Sequence, residues 1–219
     1  TGLVTVVPAF QFTFLGKLVM LFLIQVGGWG VIVCVTYVLV LMKVKLTIQE
    51  RVMLQNYFNR DSMRGLVGIL QYVVKGSLVV EGIGALGYAC RFIPQFGLLR
   101  GIWYAVFHSI SAFCNAGFDL LGTKWHPFVS LTSYAVNPVI NIVIMLLIII
   151  GGIGFFTWED IYLHKFHFKH YHMQSKVILT TTLCLILLPA VFFFFQDYGK
   201  LSGIDRLLAS LFQLSLIHI

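Results

Sequence analysis

Long apolar runs alternate with short polar segments along the whole chain. A helix needs about 20 apolar residues to cross a hydrocarbon core of about 30 Å. By this measure the pattern predicts spanning helices over residues 18–42, 66–90, 136–158 and 177–195. Two other apolar segments, residues 102–114 and 203–213, have roughly half that length. We expect each of these to be a half-helix, which enters the membrane without crossing it.

The composition also predicts a membrane protein. Hydrophobic residues make up 59% of the 219 residues and charged residues 11%, whereas soluble domains are roughly half apolar and about a quarter charged. The formal net charge of +7 does not indicate nucleic-acid binding, because the basic residues lie in short segments between the apolar runs. Residues 42–65 and 159–176 are rich in them, which by the positive-inside rule predicts that both face the cytoplasm. We therefore expect a multi-pass protein of the cell (plasma) membrane, with the lipid bilayer as partner and no nucleic acid.

The sequence further predicts an internal repeat. Residues 27–30 (GGWG) and 151–154 (GGIG) each close an apolar run and precede more apolar residues and then a basic segment. Glycine is common in membrane helices because it lets helices pack closely. Two copies at matching positions nevertheless predict a unit of span, half-helix, loop and span that is repeated in parallel orientation. The alternative is a secondary transporter with inverted repeats, which would put one of the two basic segments outside.

The segment after the first half-helix is the strongest candidate for function. Asn115, Ala116 and Gly117 follow the half-helix, and Asp119 comes soon after. The negative C-terminal end of a half-helix stabilises a cation, and glycine permits backbone angles that turn carbonyls toward one axis. A ring of carbonyls can replace the hydration shell of potassium. An ordinary external turn is the other interpretation, and Asp119 either concentrates cations at an outer mouth or only caps that turn.

Three other features have both a functional and a structural interpretation. Glu81 lies within a predicted span, where a charge is costly and by default functional; its structural interpretation is a partner such as Lys75 or a backbone amide. His108, on the half-helix, is interpreted as a hydrogen-bonded packing residue. Residues 164–172 contain four histidines, which would suit a metal-dependent membrane enzyme. No acidic residue lies among them, so contact with anionic lipid is the simpler interpretation, and we expect no metal site and no catalytic residue.

Three segments of the chain resemble one family. Residues 107–120 (FHSISAFCNAGFDL) are similar to the second pore loop of the Ktr/Trk/HKT superfamily of potassium transporters. Residues 13–33 (TFLGKLVMLFLIQVGGWGVIV) and 45–55 (KLTIQERVMLQ) resemble the inner helix of its first repeat and the segment after it, and favour the KtrB-like branch. The resemblance extends over residues 1–213, whereas residues 214–219 depart from the family pattern.

The resemblance implies an all-α membrane protein in which repeated span, pore half-helix, filter loop and span units form a potassium-channel-like pore of four repeats. Residues 1–65 would end repeat one, 66–176 would be repeat two, and 177–213 would begin repeat three. The filter would use backbone carbonyls of Gly2, Asn115, Ala116 and Gly117. Because the third filter loop and the fourth repeat are not in the sequence, we expect an internal fragment that does not conduct alone.

The resemblance also implies the ions and the partners. K+ would be the transported substrate, Na+ is a candidate coupling ion, no cofactor would be covalently bound, and the protein would not be an enzyme. A homodimer and a cytosolic ring of nucleotide-binding RCK subunits (KtrA-like) are the implied protein partners.

Overall fold

The chain is helical through most of the part that the structure describes. The computed structural model describes residues 7–43, 46–57, 66–122, 131, 134, 137–165, 167–196 and 203, and these ranges contain no β-strand. The predicted all-α class is therefore confirmed. In chain order the elements are α1 (Pro8–Gln11), α2 (Phe14–Trp29), α3 (Val31–Leu41), α4 (Ile48–Tyr57), α5 (Leu66–Phe96), α6 (Leu98–Phe113), α7 (Pro138–Gly152), α8 (Phe155–His164), a 3-10 turn (Phe168–His170) and α9 (Met173–Gln196).

The four apolar runs predicted as spans correspond to two long helices and two bent helix pairs. Val67–Phe96 in α5 and Met173–Phe192 in α9 are each long and apolar enough to cross a membrane. The pairs α2 with α3 and α7 with α8 add two spans if each pair crosses as a unit. Large apolar side chains also remain exposed, such as Leu86 at 70% and Leu188 at 72%. Exposed apolar side chains on long helices suit helices whose outer faces contact lipid.

Both bent pairs break at the last glycine of a GGxG motif. α2 and α3 meet at 99°, and α7 and α8 meet at 95°. Gly30 and Gly154 have φ angles of 83° and 81°, in the left-handed region where a Cβ is costly. The runs 18–42 and 136–158, each predicted as a span, are therefore built from two helices with a sharp bend between them, and whether each pair crosses the membrane as one span stays a prediction. Each of these glycines ends one helix and allows the next to start in a new direction.

The first segment predicted as a half-helix, residues 102–114, falls largely within α6, which lies mostly buried among the other helices. Its 16 residues rise about 24 Å, which is less than a hydrocarbon core of about 30 Å. A core cluster surrounds α6 and includes Tyr88 and Phe92 of α5, Phe113 of α6 itself and Ile148 of α7. α6 therefore packs against both α5 and α7, which also contact each other. The second predicted half-helix, over 203–213, lies outside the described residues except for Gly203.

Candidate functional site

α6 ends in a Schellman cap that contains Asn115. The N–H of Asn115 donates to the carbonyl of Ala112 (3.1 Å), and the N–H of Ala116 donates to the carbonyl of Ser111 (2.8 Å). These paired bonds define the motif. Asn115 has a φ of 52°, a left-handed conformation that Asn tolerates better than most residues. Asn115 is therefore the residue at which the chain reverses and starts to run back along α6.

Gly117 is the most exposed residue of the returning segment. It is exposed, whereas Asn115, Ala116 and Phe118 are half-buried. Its φ of 74° would strain any residue that has a Cβ. Positive φ at two alternate positions also distinguishes this segment from a β-strand, in which φ is close to −120° or −140° throughout. Gly117 thus has a backbone conformation suited to glycine, while its role in ion binding stays a prediction.

Two side chains of α6 bond to the backbone of the returning segment. The Ser111 hydroxyl donates to the carbonyl of Phe118 (2.7 Å) and accepts from the N–H of the same residue (2.9 Å). One turn earlier, Nε2 of His108 accepts from the N–H of Leu120 (3.4 Å), and Nδ1 bonds to the carbonyl of Tyr104 (2.7 Å). Because Nε2 is an acceptor and Nδ1 faces a carbonyl, these contacts fix His108 as the neutral tautomer with its proton on Nδ1.

Sequence reasoning interpreted His108 correctly and did not single out Ser111. His108 is 3% exposed and lies against the rings of Tyr88 and Phe92 at 6.2 and 5.4 Å, so it is a hydrogen-bonded packing residue as predicted. The signal for Ser111 was weak, since serine often bonds to nearby backbone groups. The position of Ser111, in the last helical turn before a glycine-containing loop, is the feature of the sequence that could have indicated a bond to that loop.

The two remaining predicted residues of the ion pathway are Asp119, which follows Phe118 in the returning segment, and Gly2. Oδ2 of Asp119 accepts from the N–H of Leu121 (3.2 Å), which is the Asx-turn contact of a residue that caps a turn. The capping interpretation of Asp119 therefore has a contact in the structure, and cation attraction at an outer mouth stays a prediction. Gly2 lies outside the described residues.

Glu81 is buried between helices and bonds to a glutamine. It is 4% exposed, and its Oε1 accepts from Nε2 of Gln25 on α2 (2.9 Å). The hydroxyl of Ser109 on α6 donates to the backbone carbonyl of Glu81 (2.6 Å). Lys75 is exposed, so the suggested pairing with Lys75 is not the contact found. Glu81 instead links α5 to α2 through its side chain and to α6 through its backbone.

Glycines of the two GGxG motifs pack against the end of α6 from two sides. A Cβ placed on Gly28 would lie 2.9 Å from Cβ of Cys114, and a Cβ placed on Gly151 would lie 2.9 Å from the carbonyl carbon of Phe113. Real Cβ atoms essentially never approach other atoms that closely. α2 and α7 can therefore approach the end of α6 only because Gly28 and Gly151 have no side chain. The two helices thus pack on either side of the point where the returning segment starts.

Two of the four histidines in residues 164–172 lie beside one buried carboxylate. Asp160, 2% exposed, accepts from the N–H of His172 (2.9 Å). Its Oδ1 lies 3.6 Å from Nδ1 of His164 and 3.7 Å from Nε2 of His172. Within the described ranges, no group of three or more His, Cys, Asp or Glu side chains is arranged to hold a metal ion. The contacts found here connect the end of α8 to the start of α9.

The fold and the site together define a helical membrane protein in which a short, mostly buried helix, α6, is followed by a capped, glycine-containing loop. The chain matches the TrkH family, described as "Cation transport protein", over residues 1–201. It is 34% identical to the potassium/sodium uptake protein NtpJ of Enterococcus hirae, over 92% of this chain and 43% of that protein. It is 35% identical to the Ktr system potassium uptake protein B of Bacillus subtilis, over 97% of this chain and 48% of that protein.

A third relative, the Ktr system potassium uptake protein B of Vibrio alginolyticus, is 32% identical over 97% of this chain and 47% of that protein. The chain belongs to the TrkH family of cation transport proteins. The resemblance to the Ktr/Trk group drawn from the sequence is thereby confirmed, and the family is one of transporters and not of enzymes. The chain spans about half the length of the curated relatives that it matches.

Proposed function

We propose that this chain forms part of the ion pathway of a potassium uptake protein in the cell membrane. Its membership of a cation transport family supports transport, and the printed names of the relatives support potassium as the transported ion. The membrane potential would drive entry, since it contributes about 2.3 kcal/mol per charge per 100 mV. No covalent chemistry is needed, and K+ is a substrate in this proposal.

The observation that carries the proposal is the buried α6 followed by an exposed Gly117. α6 directs the negative end of its dipole toward residues 115–117, of which Asn115 and Ala116 are half-buried and Gly117 is exposed. The returning segment has positive φ at Asn115 and Gly117, and Gly117 lies at the surface of the chain. A surface of this kind would face a pore axis completed by the other filter loops. Backbone carbonyls there would replace the hydration shell of K+.

The larger assembly belongs to the same proposal. We infer that four repeated units surround one pore, with residues 1–65, 66–176 and 177–213 contributing to successive units. In this arrangement Gly2 supplies a filter carbonyl of the first unit, and Asn115, Ala116 and Gly117 supply those of the second. The basic segments face the cytoplasm, where a nucleotide-binding RCK subunit would bind. A homodimer and a coupling role for Na+ complete the proposal.

Substitution of Gly117 tests this proposal. The complete gene product that contains this sequence would be produced in cells that lack their own potassium uptake, with an RCK subunit co-expressed. Radioactive rubidium uptake would be measured with and without competing sodium for the wild type and for Gly117→Ser. Gly82→Ala is the matched control, because a Cβ at Gly82 has nothing within 4 Å.

We expect Gly117→Ser to reduce the preference for rubidium over sodium, since a side chain strains the backbone at this φ. The Gly82→Ala control should behave like the wild type. Uptake by the wild type with a selectivity that Gly117→Ser leaves unchanged would remove Gly117 from the filter. A wild type that is well expressed with its partner and takes up no rubidium would refute potassium transport itself.

A further inference from the structure

Ser111 bonds to the chain on both sides of Gly117. Its backbone carbonyl accepts from the N–H of Ala116 (2.8 Å). Its hydroxyl donates to the carbonyl of Phe118 (2.7 Å) and accepts from the N–H of Phe118 (2.9 Å). Both backbone groups of Phe118 are therefore satisfied by one side chain. The residue before Gly117 and the residue after it are thus tied to the same position of α6.

Ser111 is buried, so its bonds to the returning segment are not readily replaced by bonds to water. Its side chain lies in the last turn of α6 and the residue is 3% exposed, so little water is available to replace a lost bond. Glycine has more backbone freedom than any other residue, and Gly117 is exposed. The conformation of Gly117 is therefore restrained chiefly through its two neighbours. Ser111 itself is buried and does not share the exposed surface of Gly117.

We propose that Ser111 is a positioning residue that fixes the backbone of Gly117 for ion selection. This inference rests on the proposed function, and it adds a specific side chain that sets selectivity without contacting the ion. His108 supports the same segment one turn earlier through the longer bond to Leu120. Loss of the Ser111 hydroxyl leaves the N–H and the carbonyl of Phe118 without their partner, so that the segment around Gly117 relaxes.

Ser109 provides a matched control on the same helix. It is fully buried at 0% exposure, and its hydroxyl donates to the backbone carbonyl of Glu81 (2.6 Å). Ser109→Ala therefore removes a buried hydrogen bond from α6 without touching the returning segment. Ser111→Ala removes the same atom from the same type of residue, two positions along. A general loss of stability would affect both variants, whereas a loss of positioning would affect only Ser111→Ala.

The test compares the two variants in the complete gene product. Rubidium uptake in competition with sodium gives the selectivity ratio, and we expect Ser111→Ala to lower this ratio about tenfold, as the loss of one or two hydrogen bonds would. Thermal unfolding of the purified protein, titrated with potassium chloride against choline chloride, gives the apparent affinity for K+. We expect Ser111→Ala to weaken this affinity to a similar extent and Ser109→Ala to leave both quantities unchanged.

Each outcome separates the inference from the proposed function. If the wild type shows neither rubidium uptake nor stabilisation by K+, the proposed function fails and the inference fails with it. If the wild type selects K+ and Ser111→Ala selects it equally well, only the inference is overturned. A selectivity loss of equal size in Ser109→Ala would also overturn it, because the effect would then come from any lost bond in α6.

Discussion

An alanine at Gly151 should disturb the end of α6 and with it the loop that carries Gly117. A Cβ at position 151 would lie 2.9 Å from the carbonyl carbon of Phe113 and closer still to its oxygen. Ordinary van der Waals contact begins at 3.4 Å. Relieving the contact with the carbonyl carbon alone takes a shift of about 0.5 Å, the difference between these two distances, and the closer oxygen requires a larger one. α7 or the end of α6 must therefore move by more than about 0.5 Å, because packed backbone has no free volume to absorb a methyl group.

The expected energy has two opposing parts. Forcing a methyl group into a packed site destabilises a protein by about 1–3 kcal/mol. We expect a value toward the upper end of this range, because the methyl group meets backbone atoms, which cannot rotate away as a side chain can. Alanine in place of glycine within a helix stabilises the helix by about 1 kcal/mol, because alanine has the higher helix propensity. The free energy of unfolding should therefore fall by about 2 kcal/mol. The displaced carbonyl belongs to the last residue of α6, so transport should fall together with stability.

Gly27→Ala is the matched control, because Gly27 is the first glycine of the other GGxG motif. A Cβ at Gly27 has nothing within 4 Å, so only the helix-propensity gain of about 1 kcal/mol remains. Thermal unfolding of the purified protein and rubidium uptake would be measured for both variants. A Gly151→Ala protein as stable and as active as Gly27→Ala would refute the close approach of α7 to α6.

Two further predictions concern the contacts around α6. Gly28→Ala should destabilise the protein by crowding Cys114, and adding Cys114→Ala to the same chain should recover part of the lost free energy of unfolding. We expect a coupling energy of about 0.5–3 kcal/mol in this double-mutant cycle. Strictly additive unfolding free energies would contradict the contact. Glu81→Gln keeps an acceptor for the amide of Gln25 and should therefore retain stability and rubidium uptake. Glu81→Ala leaves that amide unpaired, at a cost of about 1–3 kcal/mol in the free energy of unfolding. If unfolding and uptake measurements show equal damage in both variants, the charge of Glu81 itself is needed.

The helical segments could be predicted from the sequence, but their breaks could not. Apolar runs of the required length identify the spans because the bilayer sets that length. Glycine, however, occurs both inside continuous membrane helices and at breaks. Gly27 and Gly28 remain helical whereas Gly30 turns the chain. Residue type alone does not separate these glycines; the fact that both motifs break at their last glycine is visible only once the φ angles are known.

The site shows the same division between local and long-range information. The short α6 and the left-handed Gly117 follow from segment length and residue type, both of which are local. The partner of Glu81 could not be found in this way, because Gln25 is 56 residues away in the chain. The role of Ser111 depends on the reversal at Asn115, which brings Phe118 back to α6. Contacts of this kind are created by the fold and leave almost no mark on the sequence.

The position of a bound ion tests the central claim most directly. The complete gene product would be purified in rubidium or thallium, and its structure would be determined with anomalous diffraction to locate the heavy cation. We predict a peak in contact with backbone carbonyls of residues 115–117 on the pore side of Gly117. Well-ordered cation peaks elsewhere in the protein, with none at these carbonyls, would contradict the assignment of this loop to the ion pathway.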